Sequence, residues 1–333
     1  MTALTAFSVP SAQALNERVL CHYVLATPVR CDFLHFGVNE TYRVSAAVKT
    51  YFLRLYRRGW RSRGEILAEV DMLLYLHRRR LPVSYPIKRS NGSYLTRVDT
   101  PEGVRYAVLF SAAPGKNSDL NFSQCSDYGE LTARLHLSLD QRKRDTRRFD
   151  IDVDHLVRDP LRTIAHFLEQ RPQDLGYLRE MGEACSARVE GLLSRSAPEY
   201  GSCHGDHHGG NLHVDAKGGI TLFDFDCYGY GWRAYDIAVF RWIHGPWEAG
   251  ASRAQKAKKT RTWNAFISGY ERVRTLSKNE RLAVDYFVVL RQIWLMGLHT
   301  QGAYAWGSGW INDGYFDHHI AYIKRFLVER KLF

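Results

Sequence analysis

The chain has 333 residues, 45% hydrophobic and 24% charged, with a mean hydropathy of -0.34, which suits a protein able to bury a sizeable core and long enough for two lobes. Its apolar runs, such as Phe287–Leu290, are far too short for a membrane helix, and the opening MTALTAFSVPSAQAL lacks the basic and continuous apolar regions of a signal peptide. The net charge is +11, but the basic residues sit in dispersed clusters (Arg57-Arg58, Arg78–Arg80, Arg142–Arg148, Lys256–Arg261) at expected helix ends and loops. That distribution reads as a solvated basic face rather than a nucleic-acid interface, and its field would favour an anionic cosubstrate. The six cysteines form no CxxC pair and are expected to be reduced thiols of a cytoplasmic protein.

In chain order, a helix is predicted over about Ala12–Leu25, ending before Pro28. Asp32–Ala46 reads as two strands around a Gly-Val-Asn-Glu turn, with Phe33, Phe36, Tyr42 and Val44 supplying strand-favouring side chains. A third strand, Thr50–Tyr56, alternates faces and carries Arg54 midway, where a charge needs a partner or solvent. The amphipathic helix Arg63–Arg79 follows, with Ile66, Val70, Leu73, Leu74 and Leu76 near helical spacing and Glu65 and Glu69 one turn apart, either able to meet Arg54. Tyr94–Val98 and Val104–Phe110 form a predicted hairpin, and the Pro/Gly segment Ser111–Lys116 a hinge. An N-terminal lobe over 1–110 and a linker over 111–125 are thus expected. The remainder, 126–333, reads as a helical lobe: a helix over Ser126–Asp140 capped at Ser126, helices over Pro160–Gln170 and Asp174–Ser194, and a C-terminal part rich in aromatics, among them Trp242, Trp247, Trp263, Trp294, Trp306 and Trp310.

The chain is organised around Cys203–Asp226, CHGDHHGGNLHVDAKGGITLFDFD. Asp206, the spaced Asn211 and the Asp224-Phe225-Asp226 run supply a carboxylate, a carboxamide and a second carboxylate. Those groups suit Mg²⁺-nucleotide chemistry, in which Asp206 aligns an attacking hydroxyl while Asn211 and Asp224 offer oxygen ligands. Gly209 and Gly210 would let the loop turn back, bringing Asn211 to face Asp224. Asp226, if extended with Asp224, would share its side. A polar surface hairpin built from ordinary Asx turns is the plain alternative. A zinc site formed by His204, His207, His208 and His213 is another, although the glycines oppose the helical HExxH form.

HGDxxxxN followed by DFD resembles the aminoglycoside phosphotransferase and choline kinase-like family, in particular its homoserine-kinase-like and stress-response-kinase-like branch. FGVNETYRV (36–44) is similar to that family's nucleotide-covering hairpin, TYFLRLYR to its third strand, ELTARLH (130–136) to the helix opening the second lobe, and GWRAYDIA (231–238) to the segment after the metal aspartate. The resemblance implies an α+β, two-lobed protein-kinase-like fold, with a small antiparallel-sheet lobe carrying one main helix and a larger, mostly helical lobe. It implies Asp206 as the catalytic residue and Asn211 and Asp224 as magnesium ligands. Asn39, Arg54, Glu69, Leu109, Phe110 and Ser111 would lie about ATP, and Asp236 would anchor the catalytic loop. One position departs from the family: Arg54 stands where lysine is usual, keeping the charge with a different reach and geometry. Trp294, His299, Tyr304, Trp306 and Trp310 are candidate contacts for a cationic or sugar-like acceptor, with Asp313 and Asp317 as acidic contacts for an amine. The expected activity is ATP- and Mg²⁺-dependent phosphorylation of a small-molecule hydroxyl, with no membrane partner. A Ser/Thr protein kinase of the stress-response type and a nucleotide-binding pseudokinase are the rivals.

Overall fold

The computed structural model describes residues 5–244 and 250–333; Trp247 lies outside them. The chain divides into two compact units, one formed by Met1–Lys116 with His213–Asp226 and the other by Asn117–Leu212 with Cys227–Phe333. Residues 213–226 therefore group with the N-terminal residues, not with the helices that follow them. Among the described residues no helix is long and apolar enough to cross a membrane.

In the first unit, α1 (Ala12–Arg18) is capped by the Ser11 hydroxyl and gives way to a 3₁₀ turn at Leu20–His22. The predicted helix is thus shorter than Ala12–Leu25. Val19, Leu20 and Tyr23 join Leu15 in the core, and this burial overrides the weak helical preference of Cys21, His22 and Tyr23. The strands β1 (Val29–Phe36), β2 (Glu40–Ala46), β3 (Lys49–Tyr56), β4 (Thr96–Thr100) and β5 (Gly103–Ser111) form one sheet in the order β1-β2-β3-β5-β4, every pair antiparallel. Alternation on β3 sends Leu53 and Leu55 into the core and sets Arg54 opposite Thr41 and Val108. Between β3 and β4, α2 (Arg63–Arg78) starts at a reciprocal Ser62–Glu65 capping box and buries Ile66, Val70, Leu73 and Leu76 along with Glu69.

The second unit opens with α3 (Phe122–Asp140), four residues earlier than predicted. Asn121 and Gln124 cap one another, and Ser126 instead accepts from Arg272 at 2.7 Å. A short sheet of β6 (Asp150–Ile151), β7 (Tyr200–Cys203) and β10 (Gly229–Trp232) runs in the order β6-β10-β7. Two further strands, β8 (Leu212–Val214) and β9 (Ile220–Leu222), form a separate pair that from His213 onward belongs to the first unit. The helices α4 (Asp159–Phe167), α5 (Pro172–Leu192) and α6 (Arg233–His244) pack on the 29-residue α8 (Lys278–Trp306), with α7 (Arg253–Glu271) against α3 and α9 (Asp313–Arg330) closing the chain. The α3–α7 crossing is close because each helix offers a glycine. A Cβ on Gly129 would stand 1.9 Å from the Phe266 carbonyl oxygen, and one on Gly269 would stand 1.8 Å from that of Ser126. The six cysteines are free thiols; Cys203 and Cys227 are buried packing residues.

Candidate active site

In the first unit, β3 and α2 bring Arg54 and Glu69 together. Arg54 Nη1 donates to Glu69 Oε1 at 3.0 Å and Nη2 to Asp224 Oδ1 at 2.8 Å, while the Tyr56 hydroxyl holds the other Glu69 oxygen at 2.9 Å. Of the two candidate acids on α2, Glu69 is the partner; Glu65 closes the helix cap. Burial opposes the Arg54 charge, but Asp224, Tyr56 and Glu69 outweigh it and leave the guanidinium more firmly protonated than usual. Its fork spans two carboxylates at once, a geometry that a lysine ammonium would meet as a point charge.

Asp224 is reached from β9, which hydrogen-bonds to the segment after α2: Ser84 N donates to Leu222 O at 2.8 Å and Leu222 N to Pro82 O at 2.9 Å. Asp224 has φ 62, a left-handed conformation that Asp tolerates better than most residues. Phe225–Cys227 then coils as a 3₁₀ turn. The expectation that Asp226 extends on the same side as Asp224 is therefore corrected. The Asp226 carboxylate instead accepts from Asn39 Nδ2 at 2.6 Å and Trp60 Nε1 at 2.9 Å, and Arg61 Nε donates to its carbonyl. Asn39 Oδ1 in turn accepts from Arg57 N, so the residue expected near ATP ties its hairpin turn to the aspartate segment. On β5, Leu109 is fully buried and its carbonyl accepts from Ile87 N. Phe110 lies under Arg54 at 5.1 Å, and Ser111 is bonded through its N–H, carbonyl and hydroxyl to Ser84 and Tyr85.

In the second unit, Asp206 stands in the loop after β7. The loop is hung on Asp236 of α6, whose buried carboxylate accepts from His204 N at 2.7 Å, Gly205 N at 2.9 Å and His136 Nε2 at 3.0 Å. Gly205 has φ 82, and a Cβ there would fall 2.0 Å from the Cys227 carbonyl oxygen, so this glycine, more than Gly209 or Gly210, is required. Gly209–Asn211 makes a 3₁₀ turn whose start His208 caps. Asn211 Nδ2 then donates to Asp206 O at 2.9 Å and Oδ2 at 3.2 Å.

Asp206 is held on both oxygens. Arg291 of α8 donates to Oδ1, and His208 Nε2 lies 3.3 Å from Oδ2. Burial works against the carboxylate charge, but Arg291 and then His208 overcome it and keep the group well below the usual carboxylate range. The four histidines do not converge on a metal: His204 Nδ1 accepts from Asp206 N, His207 Nε2 meets Thr132 Oγ1, and His213 Nδ1 meets the Ala113 carbonyl. Among the described residues no three His, Cys, Asp or Glu side chains are placed to hold an ion.

The aromatic candidates separate. His299 gathers Trp306, Trp310, Tyr315 and His319 at ring distances of 6.3, 5.1, 5.8 and 6.4 Å. Burial lowers His299 to about 4, with Arg291 reinforcing the shift, so this group is neutral near pH 7. Trp310 and Tyr304 are exposed. Trp294 is buried, with one face under the Arg291 guanidinium at 4.3 Å and its Nε1 on His155. Asp313 and Asp317 both pair with Arg171, and both side chains remain largely exposed. Sequence reasoning missed Arg291 and Trp60; nothing in a helical RQIW or a turn RGWR marks a side chain reaching so far along the chain.

The model of the phosphotransferase enzyme family matches residues 37–276. The chain belongs to that family. An uncharacterized protein of Synechocystis sp. is 33% identical to it over 89% of this chain and 80% of its own length. Among solved structures, amicoumacin kinase hAmiN in complex with AMP-PNP, Ca²⁺ and Ami aligns with TM-score 0.77 and 22% identity, covering 96% of this chain and 93% of that one. A microcompartment-associated aminopropanol kinase aligns with TM-score 0.77 and 23% identity over 96% and 97%. This phosphotransferase shares their two-lobed α+β, protein-kinase-like fold.

Proposed function

We propose that this phosphotransferase is an ATP- and Mg²⁺-dependent kinase that moves the γ-phosphoryl group onto a hydroxyl of a small molecule: an amino alcohol, amino acid or aminosugar. The observation that carries this reading is the Asp206 loop, an ionised carboxylate fixed by Asn211, His208 and Arg291 on a backbone suspended from Asp236. Small-molecule acceptors are also what the names of the amicoumacin and aminopropanol kinases indicate for those proteins.

Asp206 accepts the hydrogen bond of the acceptor hydroxyl and aims its oxygen. A carboxylate with so low a proton affinity serves as an orienting acceptor, which is what phosphoryl transfer through a loose transition state requires. Asn211 offers a neutral and Asp224 an anionic hard oxygen donor, each of the kind that suits Mg²⁺ alongside phosphates and water. Bound Mg²⁺ would supply charge neutralisation at the phosphates. Arg54, held by Glu69 and Asp224, would keep a positive charge beside the phosphates in place of the family's lysine, with the N–H donors those carboxylates leave over.

The test is ADP release with Mg·ATP and a panel of amino alcohols, hydroxy amino acids, aminosugars and a generic protein substrate, comparing native protein with Asp206→Asn. A small-molecule acceptor should be turned over, and the variant should lose about 10³-fold or more in kcat. Full activity in Asp206→Asn would overturn the mechanism. Preference for the protein substrate would favour the protein-kinase rival, and tight ATP binding without ADP release on any acceptor would favour the pseudokinase.

A further inference from the structure

Arg291 lies mid-way along α8, about 85 residues from Asp206 in sequence, and only 3% of its side chain is exposed. Placing a guanidinium in the interior is expensive, and such a pair rarely stabilises a fold better than apolar side chains of the same volume. The surroundings are arranged to retain the charge nonetheless. Trp294 covers one face at 4.3 Å, Trp242 lies 5.6 Å away, and the Tyr235 hydroxyl accepts from Nη1 at 3.4 Å. The other terminal nitrogen, Nη2, donates to Asp206 Oδ1. Among the described residues Nε has no hydrogen-bond partner and the one ion pair Arg291 makes is with the loop carboxylate, so the cation is directed at Asp206 rather than at a wider charged network.

We propose that Arg291 is a positioning residue for phosphoryl transfer, its guanidinium fixing the rotamer of Asp206 from the Oδ1 side. The inference rests on reading Asp206 as the residue that orients the acceptor. Asn211 and His208 act on Oδ2 alone, and both belong to the same short loop, so they move with it. Arg291 is the restraint that comes from a long helix packed on α4, α5 and α6, and it references the carboxylate to the body of the unit. A carboxylate has about four lone-pair sites, so Oδ1 can hold Arg291 and still accept an acceptor hydroxyl. Misplacement of a reacting group by about 1 Å can cost roughly 10²-fold in rate. The loss of Arg291 should therefore act on kcat rather than on nucleotide affinity.

The experiment uses the full chain with Arg291→Gln and Arg291→Lys. ADP release is measured with Mg·ATP, using the best acceptor from the panel or water where none is taken, and crystal structures of native protein and Arg291→Gln are compared. Arg291→Gln is expected to lower kcat by about 10²-fold with KM for ATP unchanged, Arg291→Lys to recover part of it, and the Asp206 carboxylate of Arg291→Gln to leave its native rotamer. A folded Arg291→Gln protein with native kcat, or with Asp206 ordered in its native rotamer, would overturn the proposal. If no protein releases ADP, the phosphotransfer reading fails instead, and the Asp206 rotamer alone still decides the role of Arg291.

Discussion

Replacing Asp236 tests how the Asp206 loop is held. Its buried carboxylate is the acceptor for two backbone amides, His204 N and Gly205 N, and for His136 Nε2. Burial disfavours the charge, but the His136 hydrogen bond leads the interactions that keep the group well below the usual carboxylate range. Hydrogen bonds to a charged group contribute about 1.5–3 kcal/mol each, and a buried donor left without an acceptor costs about 1–3 kcal/mol. Asp236→Ala abandons all three donors, and the loss should reach about 4–6 kcal/mol, a large part of the roughly 5–15 kcal/mol that stabilises a typical domain. Asp236→Asn keeps the shape, but its NH₂ must face one of the donors, so a loss of about 2–3 kcal/mol is expected. Urea unfolding at pH 7.5 gives the stabilities, and ADP release under conditions where Asp236→Asn remains folded gives the catalytic effect, which should be a fall in kcat as the Asp206 loop loses its suspension. An Asp236→Ala protein within 1 kcal/mol of native stability (the order of one ordinary hydrogen bond) would refute this account of the loop.

Two further outcomes concern the helical unit. Gly129→Ala and Gly269→Ala would each gain about 1 kcal/mol from helix propensity alone, yet the added methyl meets a facing backbone carbonyl at 1.9 or 1.8 Å. Each should therefore lower Tm, with a net loss of at least about 1–3 kcal/mol; a rise in Tm would show that α3 and α7 separate freely. Burial, despite the Asp236 bond, lowers His136 from 6.5 to about 4, so the native state binds fewer protons there than the unfolded chain. Its contribution is complete above about pH 6.5 and is lost as pH falls toward 4, at up to about 1.4 kcal/mol per pH unit. Urea unfolding across this range should show a shallower pH slope in His136→Gln than in native protein; equal slopes would place the titration elsewhere.

Local pattern made much of the first unit legible before any coordinates. Alternation on Thr50–Tyr56, the turn after Phe36 and the apolar spacing of Arg63–Arg79 each depend on neighbours within a few residues, and the sheet and α2 follow them closely. Errors arose where a distant surface competes with local preference: the early end of α1, whose following residues turn into the sheet core, and the start of α3, where the Asn121–Gln124 cap takes precedence over Ser126. The aromatics after α7 illustrate the same limit, because helical spacing leaves open whether a ring is core or contact. Trp294 packs against Arg291, whereas Trp310 stands exposed.

By itself, the sequence determined the chemistry on offer: HGD with its spaced Asn and DFD are contiguous, and contiguous residues need only a loop to present them. Tertiary structure decided what each group is bonded to. Glu69 rather than Glu65 meets Arg54, Asp226 turns to Asn39 and Trp60, Asp313 and Asp317 share Arg171, and Arg291 reaches Asp206 from far along the chain. The reason is physical: a buried charge must find an opposite charge or a hydrogen-bond partner, and which partner it finds depends on how the elements pack.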